Sequence, residues 1–318
     1  VKLGILGAGA VGCAYGHLLH RGGQDVTLVD VWAEHIEQIR ATGLVVEGAG
    51  TTLTARISAT TDASELRDVE AVLVLVKAFA NEAAGAALAG ALAPGSIVVT
   101  LQNGIGNVEV LARWLGPERV VQGSTTVAAQ VRGPGRVIVA DATLDGRSLT
   151  SLGRPPSAGH AAVCERLIRA LEQAALPAIM LDDVRDVVWR KMAMAAAIGP
   201  LCAILDCTVA DVLERPPALE LLRRTFAEIV RVAEADGVAL DAEQLWSDAV
   251  ETYGSIGPHP PSLAVDVARG RASEIETQLG EIVRRGQAAG IPTPAADVLA
   301  TMIRAKAPPA PPTTRSQP

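Results

Sequence analysis

Three groups of residues in this chain have types and spacings suited to chemistry: the glycines Gly7, Gly9 and Gly12, the basic residue Lys191 in an apolar stretch, and the polar residues Lys77 and Asn103 that follow apolar runs. In Gly7-Ala8-Gly9-Ala10-Val11-Gly12 the first glycine permits a tight turn. The second lets backbone approach a pyrophosphate, and the third lets a helix pack closely on a strand. The apolar run Leu3-Gly4-Ile5-Leu6 leads straight into this motif, so the spacing predicts the strand, turn and helix of a dinucleotide site. A second strand, Asp25 to Val29, delivers Asp30. A carboxylate there accepts hydrogen bonds from ribose hydroxyls and repels a 2′-phosphate, which favours NAD(H) over NADP(H), the second choice.

Ligands of open α/β sheets bind outside the carboxyl ends of the strands. Lys77 follows the unbroken apolar run Ala71–Val76, where it either places a cation near a cofactor or is a solvated strand-end lysine. Asn103 follows the strand Ser96–Leu101 and precedes Gly104 and Gly106. Its amide can bond both a nicotinamide ribose and a substrate, or serve a turn. Lys191 and Arg190 lie about 100° apart on a helix. A lysine in apolar surroundings has a destabilised charged form and gives up a proton near neutral pH, whereas a snorkelling lysine looks the same in sequence. Ser262, after Pro260-Pro261, caps a helix or binds a carboxylate through its hydroxyl and first-turn N–H groups. Glu274 is either turned toward the same site or exposed. His17 and His20 share a helix face with no carboxylate or cysteine partner, so no metal site is expected.

The elements that must position these residues follow from periodicity. Strand-like and helical runs alternate from the start to a strand near Ala178–Leu181, which is the pattern of a doubly wound sheet. Shorter β-like pieces occur at Leu44–Val46, Leu53–Ile57, Val120–Ala129, Arg136–Val139 and Ser148–Leu152. From Asp182 the periodicity is helical, with breaks at Pro216-Pro217, Gly254–Pro261 and Gly290–Pro294. The division expected is an α/β dinucleotide-binding domain over 1–181, an all-α domain over 182–306, and a disordered Pro-rich tail over 307–318.

Composition narrows the partners. The 318 residues suit two domains. The net charge is −7 and aromatics make up 3%, so nucleic acid, which needs basic surface and stacking rings, is not an expected partner. Cys13, Cys164, Cys202 and Cys207 are scattered, as core thiols in a reducing compartment would be. The most apolar stretch, Met192–Leu205, is short and interrupted by Gly199 and Pro200, so no membrane span is expected and the location read is cytoplasmic.

Taken together, the glycine turn, Lys77, Gln102-Asn103-Gly104, Gly123-Ser124-Thr125-Thr126, Trp189-Arg190-Lys191, Pro261-Ser262-Leu263 and Ser273-Glu274-Ile275-Glu276 resemble the ketopantoate reductase family in content and order, over Val1–Lys306. The resemblance implies a Rossmann-type N-terminal domain, a helical C-terminal domain and a small-molecule 2-oxo acid bound in the cleft between. It implies that Lys191 is the general acid, that Lys77, Asn103, Ala129 and Glu274 surround the cofactor, and that Asn103 and Ser262 hold the substrate. It leaves a homodimer open. Family members carry asparagines four and eight residues after the lysine, where this chain has Ala195 and Gly199, and a third at the position of Val209. The substrate wall is therefore expected to be roomier and less polar, suiting a bulkier 2-oxo acid. An imine- or opine-type reductase and a non-catalytic NAD(P)-binding sensor are the alternatives.

Overall fold

The computed structural model describes residues 1–308; of the tail expected from Ala307, residues 309–318 lie outside the described residues. The chain forms two compact units. One comprises Val1–Gln102 and Asn107–Val184, the other Asn103–Gly106 and the chain from Arg185 onward.

The strands of the first unit are β1 (Lys2–Leu6), β2 (Asp25–Val29), β3 (Leu44–Gly48), β4 (Thr51–Ala55), β5 (Ser58–Thr60), β6 (Ala71–Val74), β7 (Ile97–Thr100), β8 (Val120–Thr125), β9 (Ala129–Gly133), β10 (Arg136–Val139), β11 (Thr150–Gly153) and β12 (Ala178–Leu181). Its helices are α1 (Ala10–Arg21), α2 (Ala33–Thr42), α3 (Asn81–Ala91), α4 (Asn107–Leu115), α5 (Asp141–Leu144) and α6 (Ala161–Gln173). The main sheet has the order β12-β11-β8-β7-β6-β1-β2-β5. From β5 to β8 it is parallel. The order of travel reverses between β1 and β6, the switch point at which such sheets hold ligands.

Continuous apolar strands are covered on both faces, as a parallel sheet requires. Alternation sends Leu3, Ile5, Leu73, Val99 and Val121 to one core, shared with Cys13, Ala14 and Tyr15 of α1. Val72, Val74, Val98 and Val120 go to the other, against Leu88 and Leu111. Two features depart from a simple alternating sheet. β11 runs antiparallel to β8, and the short pieces around 44–55 and 129–139 form a separate four-stranded sheet, β4-β3-β10-β9. The run read as Val120–Ala129 divides after Thr125, where the Val127 N–H donates to Thr125 Oγ1 at 3.0 Å.

The second unit is helical, made of α7 (Arg185–Leu205), α8 (Val209–Glu214), α9 (Pro216–Ala235), α10 (Ala242–Ile256), α11 (Ser262–Ala268), α12 (Leu279–Ala289) and α13 (Pro294–Lys306). Proline opens α9 and α13 at their first positions, where a missing N–H costs nothing. The apolar stretch expected to be too short to span a membrane is part of the 21-residue α7, which is long and apolar enough by length and composition. Its apolar window is 67% buried within the protein, and it packs on α9, α11 and α13, as the core helix of a globular unit does. Lys306 Nζ donates to the Ala203 carbonyl at 2.6 Å and to Asp206 Oδ1 at 2.9 Å, closing the far end of α7. Glu228 of α9 is buried and accepts from the N–H groups of Ala295 and Ala296 at 3.0 and 2.9 Å, capping α13 from a distance.

Candidate functional site

In the sheet unit the three glycines meet three different surroundings. Gly7 has φ +105°, and a Cβ there would stand 2.5 Å from the Val76 amide nitrogen. Gly12 would place a Cβ 1.9 Å from the Gly7 carbonyl oxygen. Both must lack a side chain, one for the turn against the β6 end and one for the seat of α1 on it. A Cβ on Gly9 would meet nothing within 4 Å. The backbone there is open, and Gly9 precedes Ala10 and Val11 of the first turn of α1, whose N–H groups and dipole favour an anion. Only the middle glycine opens onto free space, which is the cradle a pyrophosphate needs, so the residues present fit a dinucleotide.

Around this turn the sequence-predicted residues fall into place to different degrees. The Gly7–Val76 approach sets Lys77, exposed at the start of a short turn, beside the glycine loop. Asp30 follows β2, and its Oδ1 accepts from the Trp32 N–H at 3.0 Å. Ala129 opens β9, paired with Val139 in the small sheet. Two supports escape a reading by spacing. His35 is fully buried; its Nδ1 accepts from the Gly135 N–H at 3.0 Å, its Nε2 lies 3.4 Å from Cys13 Sγ, and its ring stacks on Trp32 at 4.8 Å. The Cys13 thiol donates to the Ala8 carbonyl at 3.1 Å, and burial followed by the Asp30 charge pushes its pKa up, keeping it a thiol. The second support is an amide chain. Gln102 Nε2 donates to the Val76 carbonyl at 2.7 Å and to Asn81 Oδ1 at 2.6 Å, while Asn81 Nδ2 donates to Asn107 Oδ1 at 2.8 Å. Both feet of the Asn103–Gly106 loop are thereby pinned.

Asn103 itself clusters with the helical unit, not with the 1–181 segment to which sequence periodicity assigns it. That unit also holds Lys191, Ala195, Gly199, Val209, Ser262 and Glu274. Lys191 lies in the second turn of α7, and burial brings its pKa down to about 8, against the opposing pull of the Glu274 carboxylate. Glu274 is itself buried, just before a turn at Ile275–Thr277. Of the two open readings, solvent-seeking lysine and desolvated proton donor, this environment favours the second. Ala195 and Gly199 follow Lys191 at one-turn intervals on the same face. A Cβ on Gly199 would meet only Leu263 Cβ, at 3.5 Å, so the neighbouring wall is the α11 residue next to Ser262. Ser262 is exposed and opens α11, with Pro261 rather than the serine as the N-cap and no side-chain cap bond. Val209 is buried at the start of α8. A desolvated lysine with a carboxylate beside it can give up a proton near neutral pH. Among the described residues no cluster of three or more His, Cys, Asp or Glu could hold a metal ion.

Comparison with known proteins identifies the family to which the chain is similar. Residues 3–149 match the family described as ketopantoate reductase PanE/ApbA, and residues 183–307 match its C-terminal counterpart. A 2-dehydropantoate 2-reductase of Halobacterium salinarum is 32% identical over 96% of this chain and 98% of its own. A PanE/ApbA family ketopantoate reductase of Ralstonia eutropha superposes with a TM-score of 0.87 at 32% identity, covering 96% of this chain and 98% of that one. A D-mandelate dehydrogenase solved with NADH and anilino(oxo)acetate gives a TM-score of 0.89 at 28% identity, with the same coverage of both chains.

Proposed function

Since the chain belongs to the ketopantoate reductase family and is on that ground an NAD(P)-dependent oxidoreductase, we propose that it interconverts a 2-oxo acid and its 2-hydroxy acid, with a substrate bulkier and less polar than ketopantoate and with NADH preferred. The observation that carries this reading is that Ala195 and Gly199, one and two turns beyond the desolvated Lys191 on the same face of α7, offer it no hydrogen-bonding side chain, and Val209 offers none either. A site that would hydrogen-bond substrate hydroxyls loses discrimination when those partners become methyl groups or hydrogen. The similar D-mandelate dehydrogenase, whose ternary structure holds an oxoacetate bearing an aniline group together with NADH, supports both parts of the proposal.

The turn of Gly7, Gly9 and Gly12 would hold a reduced nicotinamide dinucleotide, which would supply hydride for C2 of the oxo acid. Lys191 Nζ protonates the carbonyl oxygen as negative charge develops on it, and the Asn103 amide orients that carbonyl. The Ser262 hydroxyl binds the carboxylate. The Glu274 carboxylate opposes the effect of burial on Lys191, so that the proton is present but loosely held. In the sheet unit Asp30 accepts from the adenosine ribose and disfavours a 2′-phosphate, while Lys77 adds a positive charge next to the glycine turn.

The test is oxidation of NADH, with NADPH in parallel, against 2-oxo acids from ketopantoate to aryl- and branched-alkyl-substituted ones. Turnover of the larger acids with NADH is the expected result. Ketopantoate with NADPH as the best pair refutes the proposed selectivity, and turnover that requires an added amine replaces the oxo acid with an imine.

A further inference from the structure

The loop that carries Asn103 belongs to the helical unit although the chain on both sides of it belongs to the sheet unit, and the cause is close packing on the Ile275–Thr277 turn. The Ile105 N–H donates to the Thr277 carbonyl at 3.0 Å. Gly104 has φ +88°, and a Cβ on it would stand 2.5 Å from that same carbonyl oxygen and 2.8 Å from Thr277 Cβ and Oγ1. Only glycine permits both the backbone angle and the approach. Thr277 Oγ1 and the Thr277 N–H both donate to the Glu274 carbonyl, each at 3.2 Å. Gly106, at φ +87°, lies over Glu281, whose carboxyl carbon a Cβ would meet at 3.5 Å.

We infer that Gly104 and Thr277 form a joint that holds the Asn103 amide in register with Glu274 and Lys191, which makes them positioning residues for the group that orients the substrate carbonyl. The inference rests on the proposed role of Asn103. It means that the orienting amide and the proton donor are carried by one body, and that their mutual geometry is set by the helical unit alone. Neither Gly104 nor Thr277 touches substrate in this scheme; both act through Asn103.

The test uses the full chain with Asn103→Ala, Gly104→Ala, Thr277→Val and Thr277→Ser. It measures kcat and KM for the best oxo acid at saturating NADH, NADH affinity by fluorescence, and deuterium uptake over residues 103–106. Asn103→Ala is expected to lower kcat about 100-fold, and Gly104→Ala to follow it to within about threefold, because misplacement of about 1 Å costs as much as loss of the group. Thr277→Val loses about fivefold, and Thr277→Ser, which keeps the hydroxyl donor, returns to within about twofold of the parent. NADH affinity stays within about twofold in the Thr277 variants, which a general loss of structure would not allow. Exchange over 103–106 is slow in the parent and about tenfold faster in Gly104→Ala.

Parent-like kcat and exchange in Gly104→Ala overturn the joint. If Gly104→Ala does not fold, the threonine pair decides, and equal behaviour of valine and serine overturns it. Full turnover in Asn103→Ala defeats the role given to that residue instead, and the exchange data still show whether Gly104 and Thr277 hold the loop.

Discussion

Lys191 titrates at about 8 because burial penalises its ammonium more than Glu274 favours it. Reduction needs the ammonium and oxidation needs the amine. Oxo-acid reduction should therefore fall above a pH of about 8 while hydroxy-acid oxidation rises through the same range, as steady-state profiles in both directions would record. Glu274→Gln removes the carboxylate that opposes the effect of burial, so both limbs should move to lower pH; a limb that stays in place assigns it to another group. Lys191→Ala should cut kcat by about 10²- to 10⁴-fold, the usual worth of a general acid, with NADH affinity retained. On the wall, Ala195→Asn should shift the ratio of kcat/KM values toward ketopantoate by about tenfold, the scale of one regained hydrogen bond. An unchanged ratio would mean that this position does not meet the substrate. The need for glycine at 7 and 12 is legible in sequence because it depends on local backbone geometry. The environment of Lys191 is not, since its Glu274 neighbour is remote in the chain. The Gln102–Asn81–Asn107 amide chain and His35 escape for the same reason: their partners meet only once the strands have been laid side by side.

At the level of elements, apolar periodicity finds the strands and helices whose faces are buried, and it fails where burial is one-sided or slight. β6 and β7 are buried on both faces and read clearly. β4 is exposed at four of its five residues, so nothing in its pattern tells which sheet it joins. The Pro and Gly breaks in the second half fall at real helix boundaries because proline at a first position and left-handed glycine at a last are local devices. The cap of α13 is not local. Glu228 supplies it from another helix, while Thr293, the N-cap residue, makes no side-chain cap bond. Glu228→Ala leaves the part-buried Ala295 and buried Ala296 N–H groups without their acceptor and should lower unfolding free energy by about 1–3 kcal/mol, with Glu228→Gln losing less. Chemical denaturation of the full chain measures both, and a parent-like midpoint for the alanine variant would show that water replaces the carboxylate without cost.

For the molecule as a whole, one buried group makes stability depend on acid. His17 on α1 is 1% exposed, and neither ring nitrogen has a hydrogen-bond partner among the described residues. Burial, then the charges of Arg21 and His20, hold its pKa down at about 4 against an ordinary 6.5. As pH falls the unfolded chain takes up this proton first, so folding loses stability between about 6.5 and 4 and is insensitive to His17 above that range. His17→Leu should flatten the dependence of Tm on pH across this window while leaving Tm near pH 8 at or above that of the parent; an unaltered slope would place the acid sensitivity elsewhere. The change from an α/β half to an all-helical half is legible from composition and period. The membership of residues 103–106 is not, because it is decided by a glycine fitting against a threonine more than 170 positions away.

That interruption has a consequence for how this architecture can be recombined. A crossover at 184/185 between two diverged homologues would move the helical half whole and leave its four-residue outpost behind, so Thr277 of one parent would face Gly104 and Ile105 of the other. Exchange of substrate preference between relatives thus calls for a second, very short graft at 103–106, and chimeras made with a single junction should be poorer catalysts than either parent even when every residue around the lysine has been transferred.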